Sequence, residues 1–164
     1  MYDTVAVFLG NDIQGEAVAT QVGHATRLKV TFTKLPKGKH GFHIHKAGDL
    51  RGEGCMGACE HFHVGTPCDH GSVPGSKEPR HTGDLGNIEM HGSAAQYSYL
   101  IHDIKPSDLL GRALIVHEDE DDLGKGDFPD SKTTGHSGKR IGCAIFGRTL
   151  CKGKGRATRR RTRH

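Results

Sequence analysis

Hydrophobic and polar positions alternate with a period of two over much of the first third of the chain. Val5, Val7 and Leu9 alternate with Thr4, Ala6 and Phe8, and Leu28, Val30 and Phe32 alternate with Arg27, Lys29 and Thr31. Tyr97, Tyr99 and Ile101 repeat the pattern later. Side chains two apart in a strand share a face, so each segment predicts a β-strand. Ala113-Leu114-Ile115-Val116 and the run from Ile141 to Phe146 are apolar stretches of strand length, the second interrupted by Gly142. Gly10-Asn11-Asp12 predicts a turn between the first two strands. No segment carries the period of an amphipathic helix. Short strands punctuated by glycine predict an all-β sandwich or barrel.

Two stretches break this rhythm. Residues 47–81 are rich in Gly, His, Cys and Pro, and residues 118–139 are polar, Gly-rich and open on an acidic run. Long irregular loops in a compact domain are commonly functional. From Lys152 onward the only apolar residue is Ala157, which predicts a domain over 1–151 followed by a basic, disordered tail over 152–164.

Composition changes the picture in three ways. The 24 glycines lack a three-residue period, which excludes collagen, and no apolar run approaches membrane-spanning length. The opening Met1-Tyr2-Asp3-Thr4 has no basic and apolar regions of a secretory signal, so a cytoplasmic location is expected. The net charge of +4 divides unevenly: residues 152–164 carry seven basic and no acidic side chains, which leaves residues 1–151 at −3. The positive charge therefore describes the tail and argues poorly for a nucleic-acid-binding domain.

The 13 histidines are the strongest chemical signal, because neutral imidazole is the commonest metal ligand. His43-Ile44-His45 ends a strand-like segment, so both imidazoles can reach one ion while Ile44 points into the core. Alone, the pair is better explained by two exposed polar residues on a half-buried strand. His61, His63, His70, His81 and Asp84 follow within one loop and the Gly83-Asp84-Leu85-Gly86 segment, which reads as a turn; imidazoles and a carboxylate suit zinc. His117 ends the strand beginning at Ala113. Cys55 and Cys143 are either small buried hydrophobes or a disulfide pinning the long loop to the sheet.

These residues carry a resemblance. Gly41-Phe42-His43-Ile44-His45, Cys55, His61-Phe62, the run Arg80 to Asn87, Gly111-Arg112, Val116-His117-Glu118, Asp121 to Gly126, and Gly138-Lys139-Arg140 with Cys143 resemble the copper/zinc superoxide dismutase family, in order over roughly residues 2–147. The missing signal and the unusual tail suggest an intracellular or viral branch, with host cytoplasm or the virion as the viral locations.

The resemblance implies an eight-stranded Greek-key β-barrel of immunoglobulin-like sandwich type with two long functional loops. It implies copper on His43, His45, His61 and His117, and zinc on His61, His70, His81 and Asp84, so that His61 bridges the metals. His61 is preferred to His63 because His61-Phe62 keeps the family order and the six-residue step from Cys55. It implies that His40 braces the copper-bearing strand, that Asp121 links copper and zinc ligands, and that Cys55 pairs with Cys143. Arg140 and His61 become the catalytic residues, Arg140 as the anion-binding guanidinium. The implied reaction turns two superoxide anions and two protons into dioxygen and hydrogen peroxide by alternating reduction and oxidation of copper, with zinc structural. The channel lysine of many relatives falls on Thr133 here, with Lys132 beside it as the steering candidate. A homodimer is also implied.

Cys59, Cys68 and Cys151 have no place in the resemblance; Cys59 and Cys68 are free thiols, a second disulfide within the loop or, less favoured, adventitious metal ligands. The tail, Arg159-Arg160-Arg161-Thr162-Arg163, is a candidate for nucleic-acid or other polyanion contact, against the plainer reading of a solvated tail. Two rival functions are a metal-buffering module on the same fold and a polyanion-binding protein. The complete ligand set with Arg140 favours the enzyme.

Overall fold

Alternation in the first strand resolves into an inner and an outer face. In the computed structural model, which describes residues 2–150, β1 (Thr4–Leu9) buries Thr4, Ala6 and Phe8 and leaves Val7 and Leu9 outside. The expected tail over 152–164 and Cys151 lie outside the described residues. β1 pairs antiparallel with β2 (Gln14–Val22) across the expected Gly10–Asp12 turn, and β2 pairs with β3 (Ala25–Lys34). Leu28, Val30 and Phe32 of β3 all point inward.

The other strands are β4 (His40–His45), β5 (Asp84–Ile88), β6 (Ala95–His102), β7 (Ala113–His117), β8 (Arg140–Ile145) and β9 (Gly147–Arg148). One sheet has the order β6-β3-β2-β1-β9 and the other β5-β4-β7-β8. The chain passes between sheets from β3 to β4 and back from β5 to β6, a Greek-key path. Buried Phe146 separates β8 from β9, so the last strand changes sheets there. That is why nine strands are counted where eight were expected.

Apolar side chains from both inner faces form one core. Phe32 sits at its centre, 5.5 Å from the Phe8 ring and 5.7 Å from the Phe42 ring, with Leu28, Ile44, Leu114 and Val116 around it. β7 is buried on both faces, which explains its unbroken apolar run. Leu114 and Val116 enter the main core; Ala113 and Ile115 join Ala58, Cys55 and Cys143 in a second cluster under the long loop.

Strand parity positions the site. Phe42 and Ile44 face the core, so His43 and His45 face the opposite side of β4. β4 pairs with β7 so that His43 lies opposite Ile115 and His45 opposite Ala113, and His117 extends that outer row. The histidines therefore gather outside the sandwich, beneath the two irregular loops.

The Gly83–Gly86 segment corrects the sequence reading. It is no turn beyond Gly83: Asp84 begins β5 and pairs with His43. Gly83 is needed for close approach, since a Cβ there would collide with the Ile44 carbonyl. Among the described residues, the connections hold only 3-10 turns over Glu53–Ala58 and Pro106–Leu109 and one α-helical turn, α1 (Ser131–Thr134), in line with the missing helical period. Among the described residues, no helix is long and apolar enough to cross a membrane.

Candidate metal centre

Four imidazoles converge from β4, β7 and the first long loop. One ligand atom each from His43, His45, His61 and His117 fits within a 4.8 Å span, and all four residues are buried. Each ring is fixed through one nitrogen. His43 donates Nε2–H to Asp121 Oδ2 (2.7 Å), His45 donates Nδ1–H to the Cys59 carbonyl (2.8 Å), and His117 donates Nδ1–H to the Gly138 carbonyl (3.2 Å). His61 Nδ1 lies 2.8 Å from Asp84 Oδ1. The opposite nitrogens, His43 Nδ1 and Nε2 of His45, His61 and His117, are buried and have no hydrogen-bond partner. Buried polar atoms are nearly always satisfied, so four orphans facing one point mark a site for an electron-pair acceptor.

A second group shares His61. The Nδ1 atoms of His61, His70 and His81 lie 2.8, 3.0 and 3.4 Å from Asp84 Oδ1. A tetrahedral zinc site with ligands at about 2.0–2.2 Å has edges of about 3.3–3.5 Å, only slightly wider. The backbone N–H groups of Gly71 (3.0 Å) and His81 (2.8 Å) donate to Asp84 Oδ2 and aim the carboxylate. The donor set suits zinc, and the four imidazoles suit copper.

Asp121 ties the two groups together. Its Oδ2 accepts from His43 and its Oδ1 from His70 Nε2 (2.8 Å). His43, His70 and Asp121 thus form a cluster whose ring N–H groups are spent on the carboxylate, so it orients ligands rather than holding a third ion. Gly135 packs against it, and a Cβ there would strike both the Asp121 carboxylate and His70 Nε2.

Residues 13–146 match the family model for copper/zinc superoxide dismutase. A superoxide dismutase [Cu-Zn] of Paramecium bursaria Chlorella virus 1 is 44% identical over 150 residues, covering 87% of this chain and 76% of that protein. Superoxide dismutase [Cu-Zn] 5 of Dictyostelium discoideum is 43% identical over 116 residues, covering 68% and 74%. The crystal structure of the clock protein EA4 superposes with a TM-score of 0.78 at 36% identity, covering 89% of this chain and 94% of that one. The chain belongs to the copper/zinc superoxide dismutase family.

In this family member, burial keeps the copper-side rings neutral. It pushes the His43 pKa far down, that of His45 to about 2 and that of His117 to about 4. A neutral ring has a lone pair ready for a metal. Burial would raise the Asp84 pKa, but hydrogen bonds with His61, His70 and His81 hold it well below the usual carboxylate range. The zinc side thus keeps its negative charge.

Arg140 opens β8 beside a cavity of about 690 Å³ whose walls include His45, His61, His117 and Thr133. Its guanidinium donates to the carbonyls of Cys55 (2.9 Å), Met56 (3.3 Å) and Cys59 (2.6 Å). Cys55 and Cys143 are disulfide-bonded, which holds those carbonyls beside β8. His40 donates Nδ1–H to the His117 (2.9 Å) and Glu118 (3.0 Å) carbonyls, so it fastens β4 to the end of β7. His63 is in neither metal group; its Nε2 lies 2.7 Å from the Thr66 carbonyl and its Nδ1 accepts from the Thr82 N–H (3.3 Å).

Lys132 lines grooves beside His70 and His81, while Lys139 lines the cavity over His45 and His117. Cys59 and Cys68 are free thiols, so no second disulfide forms within the loop. Sequence reasoning missed Lys139, Arg80 and Asn87. Arg80 Nη1 donates to the carbonyls of His81, Thr82 and Asp84, which shapes the entry to β5. The Asn87 side chain clamps Asp121 through both its backbone N–H (2.7 Å) and its carbonyl (2.9 Å).

Proposed function

We propose that this chain converts two superoxide anions and two protons into dioxygen and hydrogen peroxide at the floor of the Arg140 cavity. The observation that carries the reading is the set of four buried, unpartnered imidazole nitrogens beneath a cavity with a guanidinium in its wall. Copper on His43, His45, His61 and His117 would supply the one-electron exchange, and zinc on His61, His70, His81 and Asp84 would fix the loop.

The chain's own residues do the rest. Arg140 attracts the diatomic anion and orients it by its planar fork of N–H donors. Its bonds to three loop carbonyls hold the guanidinium in place before substrate arrives, so little ordering is left to do on binding. His61 Nε2 is an unpartnered nitrogen at the cavity wall, where it can hold a proton and pass it to the product. Asp121 keeps the rings of His43 and His70 in one tautomer and orientation.

Metal analysis and a superoxide assay on one sample test the reading. Activity should disappear when copper is removed and return with copper. Arg140→Gln should keep both metals and lower kcat/KM by about tenfold or more, since a local cation at the mouth is what raises the on-rate of an anion. Full copper occupancy without activity would instead support the metal-buffering alternative.

Lys132 extends the positive field along the outer loop. Lys132→Glu should lower the rate mainly at low ionic strength, because salt screens charges beyond about 10 Å at 0.1 M. Equal rates for both proteins at low salt would remove Lys132 from the steering role.

The working form is a homodimer. β1 and β8 turn Val7, Ile141 and Ile145 outward, each about 40% exposed, and Ile141 shares a groove with Leu9 and Leu50. Apolar side chains grouped in this way call for a partner surface. Sedimentation should give a dimer for the natural sequence and a monomer for Ile145→Glu; a monomeric natural protein would reject it.

A further inference from the structure

Two sulfur-bearing residues line the way to the histidines. Met56 and Cys59 both line the cavity that holds His45, His61 and His117 in its wall. They stand three residues apart at the end of the 3-10 turn, and the Cys59 N–H donates to the Met56 carbonyl (3.3 Å). Met56 is 66% exposed, and the Cys59 thiol is exposed, outside any disulfide, and donates to the Gly57 carbonyl (3.5 Å). The Cys59 carbonyl holds the His45 ring (2.8 Å), so the thiol-bearing residue is joined directly to a ligand of the inner site.

The backbone gives no reason for a side chain at position 59. Cys59 has φ 62 and ψ −152, a region that is essentially glycine's. Of the other positive-φ residues in this segment, Gly52 is a glycine, while Gly54 and Cys55 lie in the milder αL region, and Cys55 is committed to the disulfide. Glycine would fit position 59 with less strain and would keep the carbonyl that holds His45.

Thiolate and thioether are soft donors that suit cuprous ion. Buried, unpartnered Nε2 atoms of His45, His61 and His117 lie beyond them. We propose that Met56 and Cys59 form a soft-donor relay that captures cuprous ion at the cavity mouth and passes it inward to the histidines. Cys59 releases its thiol proton to water as the ion binds and regains one as the ion moves to imidazole. The copper stays cuprous throughout, so no oxidant or reductant is required. The relay rests on the copper-binding reading of the inner site and adds how that site is filled.

The test uses the full chain stripped of copper with zinc retained. Cuprous ion is supplied without oxygen as its coloured bicinchoninate complex, and loss of colour gives the transfer rate. Met56→Leu/Cys59→Gly should take up cuprous ion at least tenfold more slowly than the natural protein and reach the same final copper content. Its uptake of cupric salt should match the natural protein within twofold, and its urea midpoint should not fall. Cys68→Ser, which removes a thiol away from this cavity, should leave cuprous uptake unchanged.

Cuprous uptake by the double variant within twofold of the natural protein overturns the relay. So does an equal slowing of cuprous and cupric uptake, which would mark a merely structural effect. A natural protein that takes up no copper overturns both the relay and the dismutase reading. Full copper uptake with slow transfer in the double variant, but no dismutase activity in the natural protein, leaves the relay standing and rejects the dismutase reading alone.

Discussion

His61→Ala should lower dismutase activity by at least about a thousandfold and reduce both copper and zinc content. The ring is shared: its Nδ1 faces Asp84, His70 and His81, and its Nε2 faces His43, His45 and His117. Its centroid is 4.0 Å from that of His43 and 5.1 Å from that of His70. Removing it takes one ligand from each site and leaves buried Asp84 short of a partner, a loss of about 1–3 kcal/mol in addition. A metal centre contributes several kcal/mol to the barrier, and about 4 kcal/mol corresponds to a thousandfold in rate. His63→Ala is the matched control. That ring bonds the Thr66 carbonyl and the Thr82 backbone, so both metals and the activity should survive. Metal analysis of the two variants decides, and loss of both metals from His63→Ala with retention in His61→Ala would sink the assignment.

That pair of histidines also shows where the sequence was legible. His43 and His45 announce themselves, because parity in a strand puts them on one face whatever the rest of the fold does. His61 and His63 share the same parity and the same loop, so residue chemistry alone does not separate them. The family spacing did, and the fold explains why: His61 forms a bridge with His45 that anchors it under β4, while His63 lies beyond it. Asp84 was recognised as a ligand but assigned to a turn, since glycines on both sides hide a strand whose backbone runs tight against Ile44. The outward turn of Val7 and Leu9 was not readable, because β1 is apolar on both faces and either could have been the inner one. Asn87, Arg80 and Lys139 belong to the motifs that carry the resemblance, but nothing in the sequence shows what their side chains do. Their roles depend on backbone groups brought near by the loops, and a polar side chain bonded to a distant carbonyl looks in sequence like any exposed one.

Cys143→Ser should destabilise the metal-free protein by about 4–5 kcal/mol and disable the site even where the fold survives. The disulfide joins residues 88 apart. In the chain-entropy account, closing a loop of that length removes unfolded-state freedom worth about 4–5 kcal/mol. The comparison belongs to metal-free protein, because bound metal stabilises the native state on its own account. Urea unfolding of the natural protein with and without a thiol reductant should reproduce the difference, and a shift under about 1 kcal/mol would rule out the loop-closure account. The second consequence is local. Arg140 stands three residues before Cys143 on β8, and its guanidinium is held by the carbonyls of Cys55, Met56 and Cys59 in the tethered loop. Those carbonyls stay in register with β8 because the disulfide packs with Ala58, Ala113 and Ile115 beneath them. Once the tether is cut, the same mobility reaches Arg140 and, through the Cys59 carbonyl, the ring of His45. Cys143→Ser refolded with both metals should therefore show a lower kcat/KM than its folded fraction explains, whereas a surface variant of equal instability should not. The bond between Cys55 and Cys143 acts on catalysis by holding the anion-binding arginine and a copper-side histidine to one piece of backbone.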